Sequence, residues 1–219
     1  MNYMNKDWSE LQKQSNALLT KRATFDKGIA KLLELRDILF QEIEKIFKEI
    51  SVEDFSKQPL INSDGYDSKT IAYSIYHIFR VEDIVMNTLI NGDTQIFFKN
   101  DYKVKLNSPI ITTGNELKKE EIAEFSKQLN ISELFNYAKE VYEQSNNCIK
   151  LLEMKDFKRK FLDPDRNRIV DSNSVEESEH WLIYDWCRKG IKDLLCMPFS
   201  RHWIMHIEAS LRIAKKLMK

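Results

Sequence analysis

His202 and His206 stand four residues apart in a stretch, Pro198 to Glu208, that reads as the first turns of a helix. Side chains at i and i+4 share one helical face, about 6 Å apart along the axis, so two imidazoles can converge on one metal ion. The pair alone is not specific, because one ring can pack or cap while the other is solvated. Of the chain's four histidines the other two are His77 and His180. His77 falls in a separate helical pattern, within its broad inward-facing sector. One histidine from that helix and two from the last would give three neutral nitrogen ligands. Positions would stay open for water or substrate, as in catalytic rather than closed structural sites. A divalent ion so held lowers the pKa of a bound water toward about 7, and that of a thiol further. Zinc, nickel and iron(II) all accept imidazole, so ligand type does not choose among them.

Other residues near these positions have open roles. Ser200 reads as the N-cap of the last helix, with Pro198 just before it, and a helix N-terminus favours the neutral, ligating form of His202. Glu82, five residues after His77, is a candidate ligand or ligand support. Glu208 is either an ion-pair partner at a helix interface or a solvated carboxylate. Arg201 either binds a substrate anion at the mouth of the site or pairs with a nearby carboxylate. His180 reads as a partly exposed histidine on an interface helix, and Trp181, Trp186 and Trp203 as core or helix seam rather than a cofactor box.

The elements that must position these residues are helical. Five glycines and four prolines in 219 residues leave few breaks, and Leu, Ile, Lys and Glu dominate. Asp7 to Leu19 reads as a short amphipathic helix, so residues 1–24 form an N-terminal arm or short helix. Asp26 to Ile50 carries a broad apolar stripe at helical period. Ser51 to Asp54 has the pattern of a capping box, and Asn62 to Gly65 of a turn. A second long helix opens at Asp67 or Ser68 and stops at Asn91-Gly92. Residues 93–114 read as a loop or small extended excursion, long enough to line a site. Helices follow over Glu116 to Leu129 and Ser132 to Glu153. Asp163-Pro164-Asp165 reads as a break, and Ser174 to Glu177 as a second capping box opening a helix through Trp181 and Trp186 that ends or kinks at Gly190. No βαβ alternation appears, and Ile111 to Asn115 lacks the glycines and lysine of a phosphate cradle. The economical way to bury four such stripes is one all-α bundle over residues 1–219.

Lys plus Arg and Asp plus Glu balance at 34 each, which argues against nucleic acid or an anionic membrane as partner. Lys155 to Lys160 and Lys215-Lys216 read as solvated helix ends. Cys148, Cys187 and Cys196 form no CxxC pair and read as reduced, buried thiols, the usage of a cytoplasmic protein. The polar start of the chain gives no sign of a signal peptide, and no window approaches about 18 uninterrupted apolar residues.

With His77, the His202–His206 pair and this helical skeleton, the sequence resembles the DinB-like (DinB/YfiT-like) family. The segment Thr113-Gly114-Asn115-Glu116-Leu117 followed by Glu121-Ile122, the Arg201-His202 start and Glu208-Ala209 resemble one of its branches. The likeness covers roughly residues 25 to 217. It implies an up-down-down-up four-helix bundle with a long loop and extra short helices. It also implies a divalent metal, zinc or nickel first and iron next, on His77, His202 and His206. The activity implied is a metal-dependent thiol transferase or a hydrolase acting on a small, thiol-containing substrate. His206-Ile207-Glu208-Ala209 departs from the continuation many members have, and no residue is marked as general acid or base. The alternative is a non-catalytic, stress-related binding or structural bundle protein. Broad apolar faces leave a homodimer open.

Overall fold

A computed structural model describes residues 5–60 and 68–218, and among these it contains helices and turns but no strand. The expected turn at Asn62 to Gly65 and a helix start at Asp67 lie outside the described residues. Helix α1 (Asn5–Leu18) leads through a tight turn into α2 (Phe25–Glu49). The two approach so closely that a β-carbon on Gly28 would lie 2.8 Å from the Leu19 backbone nitrogen. Ser15 seals the contact by donating to the Gly28 carbonyl at 3.0 Å.

Helix α3 (Ile71–Asp83) starts at Thr70, whose hydroxyl accepts from the Tyr73 amide, and not at Ser68. It continues through a π-helical stretch, Ile84–Asn91, and stops where Gly92 turns left-handed at φ 68°. All thirteen residues of α3 are buried, so its polar side chains cannot be facing water and must find partners inside. The segment expected to be loop or extended contains two one-turn helices, α4 (Ile96–Lys99) and α5 (Tyr102–Lys105). Buried Asp83 explains α4: its carboxylate accepts from the Ile96 and Phe97 amides, both at 2.9 Å, and so caps the turn from another helix.

After α6 (Glu120–Gln128), α7 (Ile131–Lys150) is capped by Asn130, whose side chain accepts from the Glu133 amide. Asp163-Pro164-Asp165 starts a helix rather than breaking one. In α8 (Asp163–Asp171) the proline occupies the first turn, where its missing N–H is no loss. The two expected capping boxes are corrected as well. Ser51 precedes a 3-10 turn, Val52–Ser56, without a side-chain cap. Ser174 is buried and donates to Gln95 Oε1 at 3.0 Å, while the helix beyond it, α9 (Trp181–Cys187), opens only after a 3-10 turn at Glu177–Glu179.

The end of the chain is nearly continuous helix: α10 (Ile191–Cys196), a π-helical turn over Met197–Arg201, then α11 (His202–Leu217). Pro198 cannot donate and its ring crowds the carbonyl four residues back, so the backbone widens there. Ser200 is therefore no N-cap. Its hydroxyl lies 2.8 Å from the Leu195 carbonyl and 2.9 Å from that of Cys196, inside the turn. Among the long elements, α2 packs on α7 and α11, and α3 packs on the same two. Cys148, Cys187 and Cys196 are free and only half-buried. Among the described residues no helix is long and apolar enough to cross a membrane.

Candidate metal centre

Helix α3 carries Tyr73, Tyr76, His77 and Arg80 at i, i+3, i+4 and i+7, one face of a helix. Each donates to a carbonyl of the extended segment between Ile110 and Gly114. Arg80 Nη2 reaches Ile111 O at 2.6 Å, Tyr76 the Thr112 carbonyl at 3.2 Å, and Tyr73 that of Gly114 at 3.2 Å. His77 Nδ1 lies 2.8 Å from Thr113 O. A carbonyl only accepts, so His77 holds its proton on Nδ1 and turns the Nε2 lone pair the other way. This is the arrangement in which a ligating histidine is oriented by a second group behind it.

His77 Nε2 meets α11. It lies 3.0 Å from His202 Nε2, and the His77 ring is 4.7 Å from that of His206 by centroid. Ligand atoms from the three histidines all fall within 4.8 Å of one another, a cluster that could hold a metal ion. Two nitrogens bound to one tetrahedral ion at about 2.0–2.1 Å stand roughly 3.3 Å apart, so the His77–His202 spacing is already that of two ligands. The Nδ1 atoms of His202 and His206 are buried without a hydrogen-bond partner.

Burial keeps the cluster neutral. It lowers the His77 pKa from 6.5 to about 4, against the opposing effect of the Thr113 bond. It lowers His202 and His206 well below 6.5, with the neighbouring imidazoles adding to the shift. Neutrality was expected from a helix N-terminus at His202; the π-turn removes that start, and desolvation does the work instead. The sign of the pH effect follows. Above about pH 6.5 neither folded nor unfolded state binds protons at these rings. Below it the unfolded chain takes up protons that the buried rings refuse, so stability falls as pH drops. For His77 this continues until about pH 4. Urea melts of metal-free protein are expected to lose up to about 1.4 kcal/mol per pH unit for each imidazole in that window. A glutamine at any one of the three should make the slope shallower.

The last helix is held by a buried network that no motif announced. Arg36 of α2 is fully buried and pairs through both terminal nitrogens with Glu82, at 2.9 and 2.7 Å. Its Nε donates to Asn146 at 2.6 Å and its Nη1 to the Phe199 carbonyl in the π-turn at 2.9 Å. Trp203, next to His202, donates to Glu82 at 2.8 Å and lies under the Arg36 guanidinium, 4.5 Å from ring centre to Cζ. Glu82 is thus not a ligand: both its oxygens are occupied by Arg36 and Trp203. From α1, Gln12 donates to the Cys196 carbonyl at 2.8 Å and to Ser200 at 3.1 Å, completing the turn's polar partners. Polar residues at helical spacing were the available sequence signal, and it does not by itself single out Arg36 or Gln12.

The triad opens into a cavity of about 280 Å³ whose walls include Asn115, Trp181, Trp186 and Lys189. Trp203 belongs to the core, whereas Trp181 and Trp186 form cavity wall. Arg201 is exposed and points to Ser9 at 3.4 Å rather than lining the cavity. His180 is half-buried at the start of α9, outside the cluster. Glu208 is half-buried; burial raises its pKa, and one of its oxygens has no partner.

The chain matches no family model, no curated protein and no solved structure. The centre therefore rests on its own geometry.

Gly114 should be sensitive. It adopts φ +79°, and a β-carbon there would come 3.2 Å from Tyr73 Cε2. Gly114→Ala is expected to shift the Thr113 carbonyl off His77 and weaken metal binding about tenfold, as loss of a ligand's hydrogen-bonded support does. Zinc titration of the variant against wild type measures this.

Proposed function

We propose that the protein binds a divalent metal ion on His77, His202 and His206 and uses it on a small molecule held in the adjoining cavity. The observation that carries this reading is three neutral imidazoles from two helices at ligand spacing, facing a cavity rather than a closed shell. Zinc is the first choice for three neutral nitrogens, with nickel next and iron a further option. When bound, the ion would supply Lewis acidity and bring a water or thiol ligand toward deprotonation near neutral pH. The chain's own part is to orient His77 through Thr113 and to hold His202 through Trp203, Glu82 and Arg36. The indoles of Trp181 and Trp186 shield one side of the site.

The family we assign is DinB-like, and the fold an up-down-down-up four-helix bundle. Its support is the lone histidine with an HxxxH pair, the Thr113-Gly114-Asn115 segment passing behind the lone histidine, and the pairing of α2 and α3 with α7 and α11. Within that reading the reaction is transfer or hydrolysis on a thiol-containing substrate. Among the described residues the one carboxylate on the cavity wall, Asp185, is engaged by Lys189 and by Arg188 at 2.8 Å. That favours a reaction driven by the ion over one driven by a protein base, and it is also the observation that supports a non-catalytic binding protein. Protein purified without an affinity tag should carry nearly one equivalent of divalent metal. A panel of thiol cofactors with electrophiles then separates the two roles. Turnover that depends on the metal supports the enzyme, and absence of metal sinks the proposal.

A further inference from the structure

Apart from the three imidazoles, the polar side chains on the cavity wall are Asn115, Asp185 and Lys189, and the acceptors among them are already engaged. Asn115 uses its Oδ1 to accept from Thr113 Oγ1 at 2.9 Å, which turns its NH₂ outward as the donating end. Asp185 accepts from Lys189 on one oxygen and from Arg188 on the other, so its acceptor sites face cations of the chain. Lys189 has three donors on its ammonium and gives Asp185 one; its side chain keeps 24 % of its surface exposed. Away from the histidines the rest of the wall is apolar, with two indoles offering flat faces. Trp186 is buried, while Trp181 leaves 57 % of its surface exposed at the rim, its Nε1 fixed on Glu179 at 2.8 Å. An exposed indole held in one orientation beside a cavity is a stacking surface, here without a ring partner among the described residues.

We propose that this cavity selects small molecules with a flat apolar body and a carboxylate tail. The body lies against Trp181 and Trp186, and the tail meets Lys189. A carboxylate is the acceptor that matches a single ammonium beside an amide NH₂; a phosphate site is more often built from guanidinium forks or a helix N-terminus. The volume of about 280 Å³ admits one ring and a short chain. Lys189 thus takes the anion-reading role that position alone suggested for Arg201. The assignment rests on the metal reading only for the end of the molecule that meets the histidines.

The test compares 4-mercaptophenylacetate with 4-methylbenzenethiol, which has the same ring and thiol but no carboxylate, by titration into zinc-loaded protein. The carboxylate-bearing thiol is expected to bind about fivefold more tightly, the effect of one partly solvated ion pair. Lys189→Met should erase that gap and Lys189→Arg should keep it, while Trp181→Ala should weaken both thiols alike. Equal binding of the two thiols, or a gap that survives Lys189→Met, overturns the proposal. If the protein takes up no zinc, the same pair is titrated into metal-free protein by tryptophan fluorescence. A Lys189-dependent preference there upholds the cavity assignment while the metal reading falls; its absence overturns the cavity assignment too.

Discussion

Replacing Glu82 with alanine is expected to cost about 3–5 kcal/mol of folding stability, the largest loss from a single side chain outside the hydrophobic core. The carboxylate compensates a guanidinium with no exposed surface, and it is the acceptor for the Trp203 indole. Its removal leaves a buried charge and a buried donor without their partner, and the remaining acceptors of Arg36, Asn146 and the Phe199 carbonyl, are neutral. Urea unfolding measures the loss. Arg36→Met alone should also be costly, because Glu82 then keeps only the Trp203 bond. The double variant Arg36→Met with Glu82→Gln should recover most of the stability, since no buried charge remains and the glutamine oxygen can still accept from Trp203. A single variant within about 1 kcal/mol of wild type would show that the pair does not carry the structure as described. Glu82→Ala is also expected to weaken zinc binding, because Trp203 and His202 are consecutive residues on α11.

The second large effect concerns the ion itself. His77→Ala, His202→Ala and His206→Ala should each lower zinc affinity by more than about a hundredfold, beyond the range seen when only the support behind a ligand is lost. Two imidazoles leave an ion that prefers four ligands half coordinated by the protein. Elemental analysis after dialysis should show near-stoichiometric metal in wild type and little in any of the three. Thermal melting adds an independent readout. A ligand present at about a hundred times its dissociation constant stabilises the folded state by about 2.7 kcal/mol, so chelator should lower the wild-type melting temperature and leave the variants unmoved. Metal content unchanged in His77→Ala and His202→Ala would remove the centre. Variants that fold but lack metal identify a functional site, whereas failure to fold without metal points to a structural one.

The chemistry-bearing residues were legible because the chain has so few of their kind. His77, His202 and His206 stood out in a histidine-poor sequence, and helical period placed them on two helices. The boundaries of α2 and the stop at Gly92 were legible for a local reason: apolar period and a left-handed turn residue act within a few positions. Ser200 misled because serine after proline has the local pattern of a cap, while the competing partners of that turn come from Gln12 and Arg36, far away in sequence. Residues 93–114 misled similarly. Ile96 to Lys99 is too short to hold a helix by itself, and it forms because Asp83, on another helix, caps it.

From the sequence alone came an all-helical chain and the three histidines, properties of composition and of periods of three to four residues. Tertiary structure decided what those residues do. Only the fold brings the Thr113 carbonyl behind His77 to set its tautomer, and only the fold buries the three rings so that they stay neutral. It also moves Arg201 away from the cavity and puts Lys189 on its wall. The physical reason is range. Helix period and capping act between neighbours, whereas desolvation and hydrogen-bond pairing depend on what distant segments deliver to the same few ångströms.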